Sequence, residues 1–278
     1  MIGQEELLKN MSELLTENKF PRTSILVGEE GSGKKTLCHE LCKQVNWIPI
    51  YIGTKVDEIR EMIKNAYTVV SKTLYIIPNA DKMSVNAANA LLKVLEEPPN
   101  NAYFILLYDD LFSVLKTIKS RSTIFMLAPY SKEELKIYLE NITSYTDGWK
   151  YEKWSEILVD FCDNPGELQI VTRYDIEEFY NYTKKVVDHI SNVSSANCFK
   201  IADKVAIKAD DEGYDLKLFW KLFMYICLDT IKTESEKMLK YALAISITSR
   251  YVQDLRLKGA NRQTLIDMWI LDIRKAWM

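Results

Sequence analysis

The sequence predicts an α/β domain built on a five-stranded parallel sheet with flanking helices, followed by two all-helical domains. Three observations carry this reading. Short apolar runs alternate with helix-period segments between residues 1 and 129, a glycine-bearing loop joins the first run to the next helix, and no convincing strand follows Pro129. A chain of 278 residues, at roughly 150 per domain, is also long enough for about two domains or three small ones.

Residues 4 to 17 place Leu7, Leu8, Met11, Leu14 and Leu15 at helical spacing, and Ser24 to Val27 form a short apolar run that stops at Gly28. Helical periodicity resumes from Thr36 to Val45. Ile48 to Ile52 reads as a second strand ending at Gly53, and Val56 to Ser71 as a helix. Leu74 to Ile77 is a third strand halted by Pro78, and Asn86 to Glu97 is a helix stopped by Pro98-Pro99. Tyr103 to Tyr108 and Ile124 to Leu127 supply two more strands with a helical segment between them.

Beyond Pro129, Ser131-Lys132-Glu133-Glu134 has the form of a helix N-cap with an acidic first turn. Breaks are expected at Asp163 to Gly166 and at Ser191 to Asn197. The expected domains are 1–129, 130–180 (a small helical unit) and 181–278 (a larger helical unit). Phe219, Trp220, Leu222, Phe223, Tyr225 and Ile226, with Trp269, Ile270, Ile273 and Trp277, are expected mostly in the core of the last unit.

With 36 basic and 39 acidic residues the formal charge is −3, so no whole-protein field draws the chain to nucleic acid and any DNA contact must be local or shared. Cys38, Cys42, Cys162, Cys198 and Cys227 are odd in number and form no CxxC pair, which fits reduced core residues rather than a disulfide framework or a zinc site. The opening MIGQEELLKN lacks the pattern of a secretory signal, and no stretch approaches the ~18 apolar residues that span a bilayer. The expectation is a soluble cytoplasmic protein without membrane partners.

Gly28-Glu29-Glu30-Gly31-Ser32-Gly33-Lys34 follows a predicted strand and opens a helix, the setting in which backbone amides cradle phosphates and a lysine reaches the terminal ones. The full pattern needs Ser or Thr next, to ligate Mg²⁺. Here that position is Lys35, and Thr36 comes one residue late, about 100° around the helix. The third strand ends in Pro78-Asn79, where ATPases of this type place a metal-binding Asp and often a Glu that activates water. Proline offers no side-chain donor or charge, and asparagine is no general base. Hydrolysis in this pocket is not expected. His39 and His189 are isolated, without a visible nucleophile or metal partner.

Gly3-Gln4, the Gly28 to Lys34 loop, Asn79-Ala80-Asp81-Lys82-Met83, the run Ala87 to Pro99 (AANALLKVLEEPP) and Thr117-Ile118-Lys119-Ser120-Arg121-Ser122 resemble the bacterial sliding-clamp-loader subunits of the AAA+ class, the delta-prime type of DNA polymerase III above all. The resemblance covers residues 1 to about 125 well; beyond them Asn164-Pro165-Gly166 is the best motif.

It implies a hetero-oligomeric machine that uses ATP to open a ring-shaped clamp and place it on primer-template DNA. Other clamp-loader subunits, the sliding clamp and DNA are the implied partners. By this resemblance Arg121 is donated in trans to a neighbouring subunit's ATP site, with Ser122 where relatives carry cysteine. Gly28, Gly31, Ser32, Gly33, Lys34, Lys35 and Thr36 form a degenerate nucleotide loop that binds ATP weakly or not at all. Glu167 stands where competent relatives place a sensing arginine. The family's cysteine zinc module is missing, since residues 43 to 73 contain no Cys, so no zinc and no other metal is expected. Lys93, and less so Lys82, are candidates for DNA-phosphate contact, and Glu96 and Glu97 read as helix-ending punctuation. The alternatives are an active ATPase whose Mg²⁺ is held by a residue such as Asp81, and a free-standing nucleotide-binding regulator.

Overall fold

The computed structural model describes residues 2–47, 49–143, 151, 153–190, 195–210, 213–255 and 261–277. The chain forms two compact units, one of residues 1–134 with Asn164–Gly166, the other of residues 135–163 with 167–278.

In the first unit, helix α1 (Glu5–Thr16) leads to β1 (Thr23–Val27), α2 (Lys34–Gln44), β2 (Pro49–Tyr51), α3 (Val56–Ala66), β3 (Thr73–Ile77), α4 (Val85–Glu96), β4 (Ala102–Tyr108), the one-turn helix α5 (Lys116–Lys119) and β5 (Thr123–Met126). The sheet is five-stranded and parallel throughout, in the order β2-β3-β4-β1-β5. Strands β1, β3 and β4 are buried along their whole length, as a parallel sheet covered on both faces requires.

Side chains alternate between the two faces. Val27, Ile77, Phe104 and Leu106 pack with α3 and α4, while Leu26, Ile76, Ile105 and Leu107 pack with α1 and α2. Burial on this scale is worth about 1.5–3 kcal/mol for each large apolar side chain relative to exposure.

Three elements, α2, α3 and β2, depart most from the sequence expectation. Helix α2 begins at Lys34, because Gly33, at φ +90°, already makes the left-handed turn into it. Helix α3 ends at Ala66 and not at Ser71: the Thr68 amide and hydroxyl both turn back to the Asn65 carbonyl, at 3.0 and 2.9 Å. Asn101 Nδ2 then holds the Val70 carbonyl at 2.7 Å, which steers the chain into β3. Strand β2 is a short, part-exposed edge strand, where Pro49 is tolerated; Ile48, expected to begin it, lies outside the described residues.

Gly3 and Gln4 fasten the start of the chain to its far edge. Gln4 Nε2 donates to the Ala128 carbonyl at 2.8 Å, and the Ala128 amide donates to Gln4 Oε1 at 3.0 Å. Gly3 is at φ +74°, and a Cβ there would meet the Tyr130 ring at 2.8 Å.

Helix α6 (Lys132–Thr143) opens with a capping box: the Ser131 amide donates to Glu134 Oε2 at 2.7 Å, and the Glu134 amide to Ser131 Oγ at 3.2 Å. Beyond α6 follow α7 (Ser155–Phe161), α8 (Pro165–Val171), α9 (Ile176–Ile190), α10 (Ser195–Asp210), α11 (Leu216–Thr233), α12 (Met238–Asp254) and α13 (Arg262–Trp277), of which all but Pro165 and Gly166 belong to the second unit. Residues 191–194 of the expected break at Ser191 to Asn197 lie outside the described residues. Asp215 caps α11 by accepting from the Leu218 amide at 2.9 Å.

The core of this unit is aromatic. Trp269 meets Phe223 edge-on at 4.9 Å between centroids and Phe219 at 5.9 Å, and its Nε1 donates to the buried Thr248 hydroxyl at 2.9 Å. Phe219, Trp220, Leu222, Phe223, Ile226, Trp269, Ile270 and Ile273 are buried as expected, whereas Tyr225 and Trp277 are only partly so. The five cysteines are buried free thiols; burial raises Cys38 first, with its neighbour Cys42 adding to it, and pushes Cys42 up to about 11. Among the described residues, no helix is long and apolar enough to cross a membrane.

Candidate functional site

The glycine loop lies at the carboxyl end of β1, between β4 and β5, where an open α/β sheet places its ligand crevice. The Gly28 amide donates to the Tyr108 carbonyl at 3.1 Å, and the Ser32 amide to the Glu29 carbonyl at 3.1 Å, closing the turn. Gly31, at φ +85°, needs the conformational freedom of glycine, and Gly28 needs its lack of a side chain: a Cβ there would sit 2.8 Å from Ser32 Oγ and 3.1 Å from Leu127 Cβ. Tyr130 donates its phenol to the Ser32 carbonyl at 2.8 Å.

Lys34 turns back into the loop. Its ammonium donates to the Gly28 carbonyl, to the Glu29 carbonyl at 2.9 Å and to Asp109 Oδ1 at 2.8 Å. Asp109 is the residue that sequence reasoning missed. Its signal was present, because the apolar run of β4 stops at an acidic residue, but the pairing of β4 with β1 is a long-range fact that periodicity does not reveal.

Lys35 and Thr36 are both exposed, so neither side chain is gathered into the loop. After β3, Pro78 and Asn79 lead into a single 3₁₀ turn, Ala80–Lys82, with Asn79 at φ 53°. Asp81 lies in that turn, and its charge adds to burial in pushing the Tyr108 phenol up to about 12.

Over the loop lies Asn164-Pro165-Gly166. The Gly166 amide donates to the Gly31 carbonyl at 3.0 Å. Glu167, in the second unit, is buried and paired by Lys217 Nζ at 2.6 Å and Lys221 Nζ at 2.5 Å. Burial alone would raise its carboxyl, but Lys221 and Lys217 outweigh that and hold it below the ordinary value.

Arg121 stands elsewhere, just beyond α5. Its Nε donates to Glu96 Oε1 at 2.6 Å, its second terminal nitrogen to the same carboxylate oxygen, and its first to the Thr117 carbonyl at 2.8 Å. Glu96 is therefore more than helix punctuation: the carboxylate that ends α4 orients the guanidinium. The side chain keeps 32% of its surface exposed and lines a cleft of about 400 Å³ with Pro21, Arg22, Leu95, Glu96 and Pro98. Ser122 donates its hydroxyl to the Ile118 carbonyl at 2.9 Å, closing the turn before β5. The loop residues Gly28, Gly31, Ser32, Gly33 and Lys34 are thus brought together, and Arg121 is presented separately at the surface. Lys93 is exposed on the outer face of α4 and Lys82 on the 3₁₀ turn.

Residues 51–131 match the family model described as DNA polymerase III, delta subunit. A DNA polymerase III subunit gamma of Buchnera aphidicola (subsp. Schizaphis graminum) is 31% identical over 194 residues, 59% of this chain and 53% of that one. A subunit tau of Bacillus subtilis is 30% identical over 152 residues, 44% of this chain and 27% of that one. Over these stretches the chain is similar to DNA polymerase III subunits of the clamp-loader type. It spans about half the length of the Buchnera relatives it matches. A crystal structure of a gamma subunit-related protein from Thermotoga maritima superposes with a TM-score of 0.53 at 18% identity, covering 98% of this chain and 99% of that one. The RuvB Holliday junction branch migration motor of the same organism gives 0.50 at 17% identity over 83% and 76%. At these identities the two structures support the AAA+ fold alone.

Proposed function

We propose that the protein is a delta-prime-like subunit of a DNA polymerase III clamp loader that does not hydrolyse ATP itself and donates Arg121 to a neighbouring subunit's ATP site. The observation that carries this reading is an asymmetry. Lys35, Pro78 and Asn79 stand at the sequence positions where magnesium and water need a hydroxyl and carboxylates, while the part-exposed Arg121 is aimed by Glu96. A guanidinium supplied from outside can neutralise the charge that develops on a transferring phosphoryl group.

In this reading ATP binds the chain's own loop weakly or not at all, and zinc not at all. Residues 130–180 act as the lid and 181–278 as the collar, with Met238, Leu239 and Leu243 of α12 and Met268 of α13 exposed on the collar's surface for neighbouring subunits. The sliding clamp and primer-template DNA are met within the assembly, Lys93 and Lys82 contributing phosphate contacts, and the assembly works in the cytoplasm. Mixing the chain with the clamp-loader subunits of its own source tests this. Co-elution as one stoichiometric complex, with no ATPase from the isolated chain, is expected. Magnesium-dependent turnover by the isolated chain, or failure to join those subunits, would overturn it.

A further inference from the structure

Lys34 is the residue that in a working phosphate loop reaches the terminal phosphates. Its ammonium has three donors, and here all three are engaged within the first unit, by the carbonyls of Gly28 and Glu29 and by Asp109. The carboxylate comes from the residue after β4, the strand paired with β1 through Tyr108 and Val27, so it arrives beside the loop and not from a mobile surface segment. Lys34 is 11% exposed and Asp109 31%, which shelters the pair from most screening by water. Beside Gly28, the Ser32 hydroxyl oxygen is buried and has no hydrogen-bond partner. The loop therefore holds a cation and an unsatisfied hydroxyl around one small region, with a negative group of the chain's own already there.

We propose that Asp109 is an internal stand-in for phosphate, which keeps a latent phosphate-binding loop closed. The proposal rests on the reading of this pocket as a non-working ATP site and adds a cause for it. Lys35, Pro78 and Asn79 account for the loss of hydrolysis, and Asp109 accounts for the loss of binding. A phosphate entering the loop has to displace the carboxylate from Lys34 and then sit against its charge. Replacing Asp109 by Asn keeps the shape and removes the charge, leaving the ammonium one strong acceptor short. A charge-assisted hydrogen bond of this kind corresponds to on the order of ten- to a hundredfold in affinity.

The experiment is calorimetric titration of the full chain with pyrophosphate and with ATP, comparing wild type, Asp109→Asn and the double variant Asp109→Asn/Lys34→Met, with a thermal melt of each. Expected is weak binding by wild type, a gain of at least about tenfold in Asp109→Asn for both probes, and loss of that gain in the double variant. Should Asp109→Asn fail to melt cooperatively, Asp109→Ser removes the same charge with less bulk and carries the same expectation. A weak wild type with no gain in either variant overturns the Asp109 lock and leaves the non-working pocket standing. Tight binding by the wild type overturns the lock and the weak-binding part of the proposed function together. A gain that survives loss of Lys34 overturns the lock as well, since the freed cation would then not be the cause.

Discussion

The amide of Gly166 donates to the carbonyl of Gly31 at 3.0 Å, and the two backbones lie so close that a Cβ on Gly166 would fall 2.4 Å from Gly31 Cα. This contact explains why Asn164-Pro165-Gly166 stands out in an otherwise featureless helical half. The segment is shaped to lie on the crest of the phosphate loop, and the loop glycine is shaped to receive it.

Gly166→Ala and Gly31→Ala are therefore each expected to destabilise the chain by about 1–3 kcal/mol, through backbone displacement in the first and through left-handed strain plus the Asn164 contact in the second. Urea unfolding of the two variants checks this. Midpoints unchanged from wild type would show that the loop and the segment do not pack in solution.

Glu167 makes stability pH-dependent at the acid end. Burial works against its ionisation, yet Lys221 and Lys217 hold the folded pKa below the ordinary 4.5, so its contribution is fully present above about 4.5 and is lost as pH falls through the lower folded value. Burial likewise opposes the charge on Lys221, but Glu167 and Asp163 raise its pKa above 10.5; that contribution is present below 10.5 and is lost as pH rises through the folded value. Glu167→Gln is expected to cost about 3 kcal/mol at neutral pH and to flatten the acid limb of a plot of stability against pH. Denaturation midpoints across pH 2 to 7 read both effects, and an acid limb as steep as that of wild type would contradict the assignment.

In the helical unit, the indole of Trp269 has the Thr248 hydroxyl as its partner at 2.9 Å, with both residues buried. Thr248→Val keeps the volume and strands the indole N–H, at an expected cost of about 1–3 kcal/mol. Thr248→Ser keeps the hydroxyl and loses only a methyl group, and is expected to cost about 1 kcal/mol. Thermal melts separate the two; equal losses would mean that packing, not the hydrogen bond, matters at this position.

Most of the α/β unit was legible because apolar period and punctuation agree there. The runs that stop at Gly28, Pro78 and Pro98 are the strands and the helix that the structure contains, and glycine at positive φ marks the loop. The helix after Val56 was read too long because Tyr67 to Ser71 continues an apolar rhythm, while the Thr68 and Asn101 hydrogen bonds that turn the chain are invisible to periodicity. The same limit hid the partners of both key cations. Asp109 and Glu96 lie 75 and 25 residues from Lys34 and Arg121, and only strand order and the end of α4 bring them together. Side-chain types singled out the two cations; what holds each one is a property of the fold.

The central claim is that Arg121 acts on a nucleotide this chain does not hold. The direct measurement is ATP turnover by the assembled clamp loader in which the subunit facing Arg121 is the only one left able to hydrolyse ATP, with wild-type chain, Arg121→Ala or Arg121→Lys. Both variants are predicted to assemble normally and to lower turnover on the order of 10³-fold, lysine being no substitute for a planar guanidinium. Turnover unchanged in a fully assembled Arg121→Ala complex would contradict it.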